Sequence, residues 1–270
     1  MIIEAILSSI IGAYLCSMLG YYISRIGLST LAFTIAHAAL AGAATALVLG
    51  LDMTYLAIVF SITTAFILGL LYNKLSHTID SICMTLFSFF NAVALLAIYY
   101  SNTTVLATAS ISAVLWGSVL AVTLDKLVVL IGVAVLYIVY TIAYRKHIDS
   151  LLFDKKLAEA EGINTRLHTI ILLVIASTSI SIVLRIVGGF LVFTLLYIPS
   201  ALASTLELNT RQQHIAIPVF GSASAATGLW ISLLLDLPVG VSIALTTVLM
   251  AAVIATVRTI AVKIMYKYKR

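Results

Sequence analysis

The sequence predicts an all-α, polytopic helical membrane protein, and three observations carry that prediction. Of 270 residues, 63% are hydrophobic and only 9% charged, with a mean hydropathy of +1.19. Soluble domains carry roughly 25% charged residues. Apolar runs of membrane-spanning length recur along the whole chain. Only three prolines and little low-complexity sequence interrupt them. One membrane domain over residues 1–270 is therefore expected, with no linker or second domain.

Residues 2–23 form the first predicted span, ending at Arg25. No basic stretch precedes its apolar run and no small-residue cleavage site follows, so it reads as a retained span, not a signal peptide. Residues 28–49 form the second. Their Ala and Gly content lets backbones approach closely, which places this span inside the bundle. The third, 54–72, runs into a polar loop over 73–80, and the fourth covers 81–100. Residues 101–123 open with Asn102, Thr103, Thr104 and Thr108, then read SISAVLWGSVLAVT. That run reaches only about 21 Å as helix, short of a ~30 Å hydrocarbon core, so a re-entrant helix is expected. The fifth span is 127–144, the sixth 169–184 and the seventh 188–206, with Pro199 inside it. A proline bends a span where neighbours fill the gap. The eighth is 215–235, Asp236-Leu237-Pro238 turns the chain, and the ninth is 239–264. The expected total is about nine spans, within a range of eight to ten, in a cell (plasma) membrane.

Nine spans put the termini on opposite sides, and the positive residues decide which. With the N-terminus outside and the C-terminus cytoplasmic, Arg25, Lys74, Arg145, Lys146, Lys155, Lys156, Arg166, Arg211, Arg258, Lys263, Lys267, Lys269 and Arg270 lie inside. Only Lys126 and Arg185 lie outside. A full crossing by 101–123 would reverse the fifth span and destroy this sorting. The net charge of +5 thus belongs to topology, not to nucleic-acid binding.

One long polar insert interrupts the apolar pattern, YRKHIDSLLFDKKLAEAEGINTRLH at 144–168. It holds five of the fifteen Lys/Arg and four of the ten Asp/Glu residues. Leu151, Leu152, Phe153, Leu157, Ala158, Ala160 and Ile163 recur at three to four positions. The spacing predicts a short amphipathic helix closed by Gly162. Such a helix suits docking to a soluble partner; the same residues also fit a charged connector that marks the cytoplasmic side.

Ionisable groups deep in a bilayer are costly, so each is a functional candidate. His37 stands near the middle of the second span among small residues, where a neutral imidazole can ligate a transition metal or bond a neighbouring helix. Thr34 shares its helix face, although a threonine in a span also back-bonds to its own helix. Asn91 is expected to bond another helix, and His77, His147, His168 and His214 to be solvated. Cys16 and Cys83 read as buried thiols, not a disulfide or metal pair. No Walker A, H-E-x-x-H, C-x-x-C or G-x-S-x-G pattern occurs. An intramembrane enzyme would need a paired nucleophile and base that the spans lack. A secondary carrier or channel independent of any ATPase is the alternative transport class, but no Asp or Glu lies deep in a span and no inverted repeat is evident.

Five stretches, in order, resemble the ABC-3 permease family, the membrane subunit of ABC importers for zinc, manganese and iron. Residues 33–42, FTIAHAALAG, are similar to D-A-L-S-H-A-x-L-P-G. Residues 80–88, DSICMTLFS, are similar to D-T-x-x-G-I-x-F-S, and 115–120, LWGSVL, to L-F-G-S-I-L. Residues 153–163, FDKKLAEAEGI, are similar to F-D-x-E-x-A-x-A-x-G-I, and 187–200, VGGFLVFTLLYIPS, to V-G-x-L-L-V-x-A-L-L-V-I-P-A. The resemblance implies a type II importer bundle, two copies around one pathway, and no enzymatic activity in this chain. It also implies an ATP-binding subunit seated on a coupling helix, with Phe153, Asp154, Ala158 and Gly162 as coupling residues. An extracytoplasmic binding protein would deliver a divalent metal, the transported substrate; no cofactor is implied. His37, with Thr34 beside it, falls at the metal position. Phe33 replaces the family aspartate one turn earlier, and Ala36 and Ala41 replace its Ser and Pro. Manganese prefers oxygen ligands, so loss of the carboxylate points to zinc, to a weak site, or to another substrate.

Overall fold

The computed structural model describes residues 2–72, 75, 78–101, 103, 122–188 and 192–268. Eleven helices are found among them and no strand. They are α1 (Ile2–Arg25), α2 (Ser29–Leu49), α3 (Met53–Tyr72), α4 (Ile79–Tyr100), α5 (Leu124–Ala143), α6 (Arg145–Phe153), α7 (Lys155–Ala160), α8 (Thr165–Val187), α9 (Val192–Thr205), α10 (Thr210–Leu235) and α11 (Val239–Tyr268). Helix is the form that satisfies every backbone donor and acceptor within one apolar segment. Eight of these helices are long and apolar enough to cross a membrane.

Side-chain size sorts the helices. Ala-rich α2 is the centre, with 78% of its membrane window buried. By contrast α4 and α11 bury only 17% and 22% and turn Leu95, Leu96, Val253 and Val257 outward. In lipid an outward leucine costs nothing, so large residues form the rim while small ones set helix spacing. Short polar side chains then pin the helices. Ser61 and Ser181 join α3 to α8 at 2.7 Å, and Ser181 Oγ also donates to the Ala57 carbonyl. Thr34 Oγ1 on α2 donates to the Cys83 carbonyl on α4 at 2.8 Å. Cys16 and Cys83 are buried free thiols, as expected.

The pinned pairs fix direction. Thr30 meets Asp80 and Thr34 meets Cys83, so α2 and α4 run parallel. Tyr100 therefore lies at the same end of the bundle as Leu49. Lys126 at the start of α5 reaches Asp52 there, with Nζ to Oδ2 at 3.6 Å. Arg185 Nη1 touches Met53 Sδ at 3.5 Å at that same end. The chain thus leaves α4 and enters α5 at one end, as the charge sorting requires. The expected re-entrant helix, and the L-F-G-S-I-L match at 115–120, lie outside the described residues.

Three expectations are corrected. Among the described residues, the predicted seventh span, 188–206, carries the 14-residue α9, about 21 Å long. The helix still reaches the basic end. Tyr197 hydroxyl donates to the Ser29 carbonyl at 2.7 Å, and Glu207 pairs with Arg258 at 2.8 Å. Its packing explains its place: a Cβ at Gly20 would sit 1.8 Å from the Leu196 carbonyl oxygen, so α1 and α9 touch backbone to backbone. Second, Asn91 on poorly buried α4 forms no side-chain hydrogen bond among the described residues. Third, the polar insert is two helices rather than one. Asp154, with φ −157° and ψ 121°, ends α6 and caps α7.

Candidate functional site

The insert is built from local rules. Asp154 Oδ1 accepts from the Lys156 and Leu157 backbone N–H groups at 2.7 and 3.0 Å, a side-chain N-cap. At the other end Gly162 N–H bonds the Glu159 carbonyl and Ile163 N–H the Ala158 carbonyl, both at 3.0 Å. Together they form a Schellman motif, which needs the left-handed φ of +81° that Gly162 adopts. Ala158 is fully buried and packs back onto the bundle. Phe153 points outward at 81% exposure, with Leu157 and Leu167 about half exposed beside it. Lys155 lies 4.5 Å from the Tyr72 ring centre, and its burial there pulls the ammonium below its ordinary pKa, partly offset by Glu159. The result is a capped helical elbow at the basic end, carrying an exposed phenylalanine on a rigid base.

His37 lies on α2, nearly buried at 8% exposure. Its Nδ1 is 3.0 Å from the Phe33 carbonyl. A carbonyl only accepts, so Nδ1 carries the proton and Nε2 keeps a free lone pair. Aromatic rings enclose the imidazole: Phe87 at 4.2 Å and Phe193 at 5.1 Å between ring centres. Phe33, one turn before His37, stacks on Phe193 and Tyr197, each at 4.8 Å. The Thr34 hydroxyl is shared between the Thr30 carbonyl on its own helix at 3.1 Å and the nearer Cys83 carbonyl on α4 at 2.8 Å, and so helps bind the two helices. One chain therefore offers a single nitrogen ligand in an aromatic box. No group of three His, Cys, Asp or Glu residues able to hold a metal is present among the described residues.

The rings from Phe87, Phe193 and Tyr197 went unnoticed in the sequence. Phe193 and Tyr197 are spaced i, i+4 on α9, a readable pair, but nothing local says that they meet α2. His168 corrects another expectation. It is 5% exposed and not solvated, its Nδ1 lies 2.6 Å from the Tyr140 hydroxyl, and the His147 ring lies tilted beside it at 5.2 Å. His214 leans on Tyr21 and Tyr22, while His77 lies outside the described residues.

Eight membrane-length helices with an imidazole at the centre and a capped elbow at the basic end give the architecture of a polytopic membrane permease. The chain belongs to the ABC 3 transport family, whose profile matches residues 1–258. Among curated relatives, the manganese transport system membrane protein MntC of Listeria innocua is 28% identical over 90% of this chain and 85% of its own length. The high-affinity zinc uptake system membrane protein ZnuB of Buchnera aphidicola is 24% identical over 84% and 86%. Among solved structures, PsaBC of Streptococcus pneumoniae superposes with a TM-score of 0.78 at 23% identity, covering 93% of this chain and 89% of that one.

Proposed function

We propose that this chain is the membrane permease of an importer for a divalent metal cation, driven by ATP hydrolysis on a separate subunit. The observation that carries the reading is His37, an imidazole with a free Nε2 at the centre of a membrane bundle. The names of its relatives, which refer to manganese and zinc, support the substrate class. A single imidazole without a carboxylate favours a cation that accepts nitrogen ligands, as zinc does, over manganese. Two copies of the chain would bring two such nitrogens to one pathway.

The elbow at 145–163 would receive the ATPase. Phe153 is the apolar anchor, Asp154 and Gly162 hold the elbow's shape, and Ala158 seats it on the bundle. Motion of the ATPase would then pass to α5 and α8, which flank the elbow. An extracytoplasmic binding protein would deliver the cation at the end marked by Asp52, Lys126 and Arg185. This orientation puts the C-terminus in the cytoplasm, where the basic residues concentrate.

Uptake of radioactive zinc and manganese into proteoliposomes containing the permease and its ATPase tests the reading. His37→Ala should abolish uptake of the preferred ion while the ATPase still co-purifies. Unchanged uptake in that variant would remove the site. Phe153→Glu should release the ATPase and leave the permease folded.

A further inference from the structure

The basic end of the bundle holds a second feature that metal transport does not use. A cavity of about 340 Å³ opens there between the end of α1, the start of α6 and the start of α10. Arg25, Arg145 and Arg211 line it, and Asp149 is its one carboxylate. Asp149 Oδ2 lies 3.8 Å from Arg145 Nε, so two positive charges remain in surplus. Arg211 has no ion pair among the described residues. Tyr21 also lines the cavity. It is 2% exposed, and its hydroxyl has no hydrogen bond of ordinary geometry, although Arg25 is near enough to act on it electrostatically. A buried hydroxyl is costly to leave unpaired, so the site lacks an acceptor or donor at that point.

A second cavity of about 280 Å³ adjoins the first and shares Arg145, Asp149 and His214 with it. It follows α1 back to Tyr14, past Met18, Ile142 and Ile148. Tyr14 and Arg25 are about 16 Å apart along the helix. Tyr22, Tyr137 and Thr141 line the second cavity as well, so away from the arginines the joined cavities offer a mixed wall of tyrosine rings, hydroxyls and aliphatic side chains.

We propose that the two cavities form one site for an anionic phospholipid. The phosphate sits among Arg25, Arg145 and Arg211 and bonds the Tyr21 hydroxyl, and an acyl chain lies along Met18 and Ile142. Planar guanidinium forks match phosphate oxygens, and basic pockets between membrane helices take anionic headgroups. The cavities open at the bundle end where the basic residues gather, the level of a leaflet's headgroups, and inorganic phosphate is the other source of the same anion chemistry. The bound headgroup would also rest against Arg145, Asp149 and Phe153 of α6, and so steady the root of the elbow.

The full-length chain in detergent is titrated separately with dioleoyl phosphatidylglycerol, dioleoyl phosphatidylcholine, inorganic phosphate and poly-glutamate. Native mass spectrometry and thermal unfolding provide the readouts. Phosphatidylglycerol should be retained and should raise Tm; the other three should do neither. Arg25→Gln and Arg211→Gln should each lower its retention about fivefold. Tyr21→Phe should unfold at the same or a higher temperature without lipid, yet lose most of the lipid-dependent rise. An equal effect of inorganic phosphate or poly-glutamate would assign the cavity to a soluble anion or an acidic protein segment and overturn the proposal. So would undiminished phosphatidylglycerol retention in the double variant Arg25→Gln, Arg211→Gln.

Discussion

Phe33→Asp restores the carboxylate that the family pattern places one turn before the imidazole, and its cost can be worked from the packing. Phe33 stacks on Phe193 and Tyr197 at 4.8 Å each, and such pairs contribute about 0.5–1.5 kcal/mol apiece beyond area burial. A lone aspartate at mid-membrane costs about 2.5–3.5 kcal/mol on insertion scales. Taken at their lower ends, these terms make the variant less stable by about 4 kcal/mol without metal. The carboxylate and His37 would then lie i, i+4 on one helix face and share a cation. Metal at a hundred times its Kd should return about 2.7 kcal/mol. Thermal unfolding in detergent, with manganese, zinc or calcium chloride, reads both terms. The variant should melt lower and recover with manganese, and the parent should show no manganese response. If the variant melts like the parent, the stack does not fill the carboxylate's place. If it melts lower but no metal rescues it, His37 does not face a cation path.

Two further outcomes follow from the caps. Gly162→Ala forces a Cβ into a left-handed turn and should cost about 1–2 kcal/mol locally. Asp154→Ala should cost about 1 kcal/mol as a lost N-cap. Both should weaken ATPase co-purification while global Tm barely moves, and full retention of the ATPase would show that the elbow's shape is not what the partner reads. At the opposite end, partial burial raises the Asp52 pKa, but the Thr54 and Tyr55 backbone N–H groups and Lys126 outweigh it and hold it below the ordinary value. A depressed folded-state pKa gives stability that is present above about pH 4 and is lost as pH falls through that lower value. Asp52→Ala should therefore lower Tm near neutral pH, by about 1 kcal/mol in cap energy, and flatten the acid limb of the Tm–pH curve. An unchanged acid limb would contradict the cap.

Most of the architecture was legible because membrane helices obey short-range rules. Eight of the nine expected spans match helices of membrane length, and the ends of α2, α3 and α4 fell within two residues of where hydropathy placed them. The central place of α2 was readable from its alanines, since small side chains permit close packing wherever they occur. Gly162 and Asp154 are equally local: one needs a positive φ, the other bonds backbone two and three residues ahead. Had Asp154 been read as an N-cap, the split of the insert into α6 and α7 would have followed. The start of α9 was harder, because hydropathy over 188–206 does not mark where a helix begins.

What the sequence by itself determined is a lipid-embedded bundle, its charge asymmetry, the polar elbow and an apolar Phe33 one turn before His37. Each depends on residues within a turn or two of one another, where hydration and backbone geometry act directly. The tertiary structure alone decided what Phe33 and His37 pack against. Phe33, His37, Phe87, Phe193 and Tyr197 come from three helices, and only packing brings their rings within 4.2–5.1 Å. It likewise gathered Arg25, Arg145 and Arg211 around one cavity and buried His168 beneath Tyr140. Contacts between residues far apart along the chain are set by how helix surfaces fit, and a linear pattern of apolar and polar letters does not carry that shape.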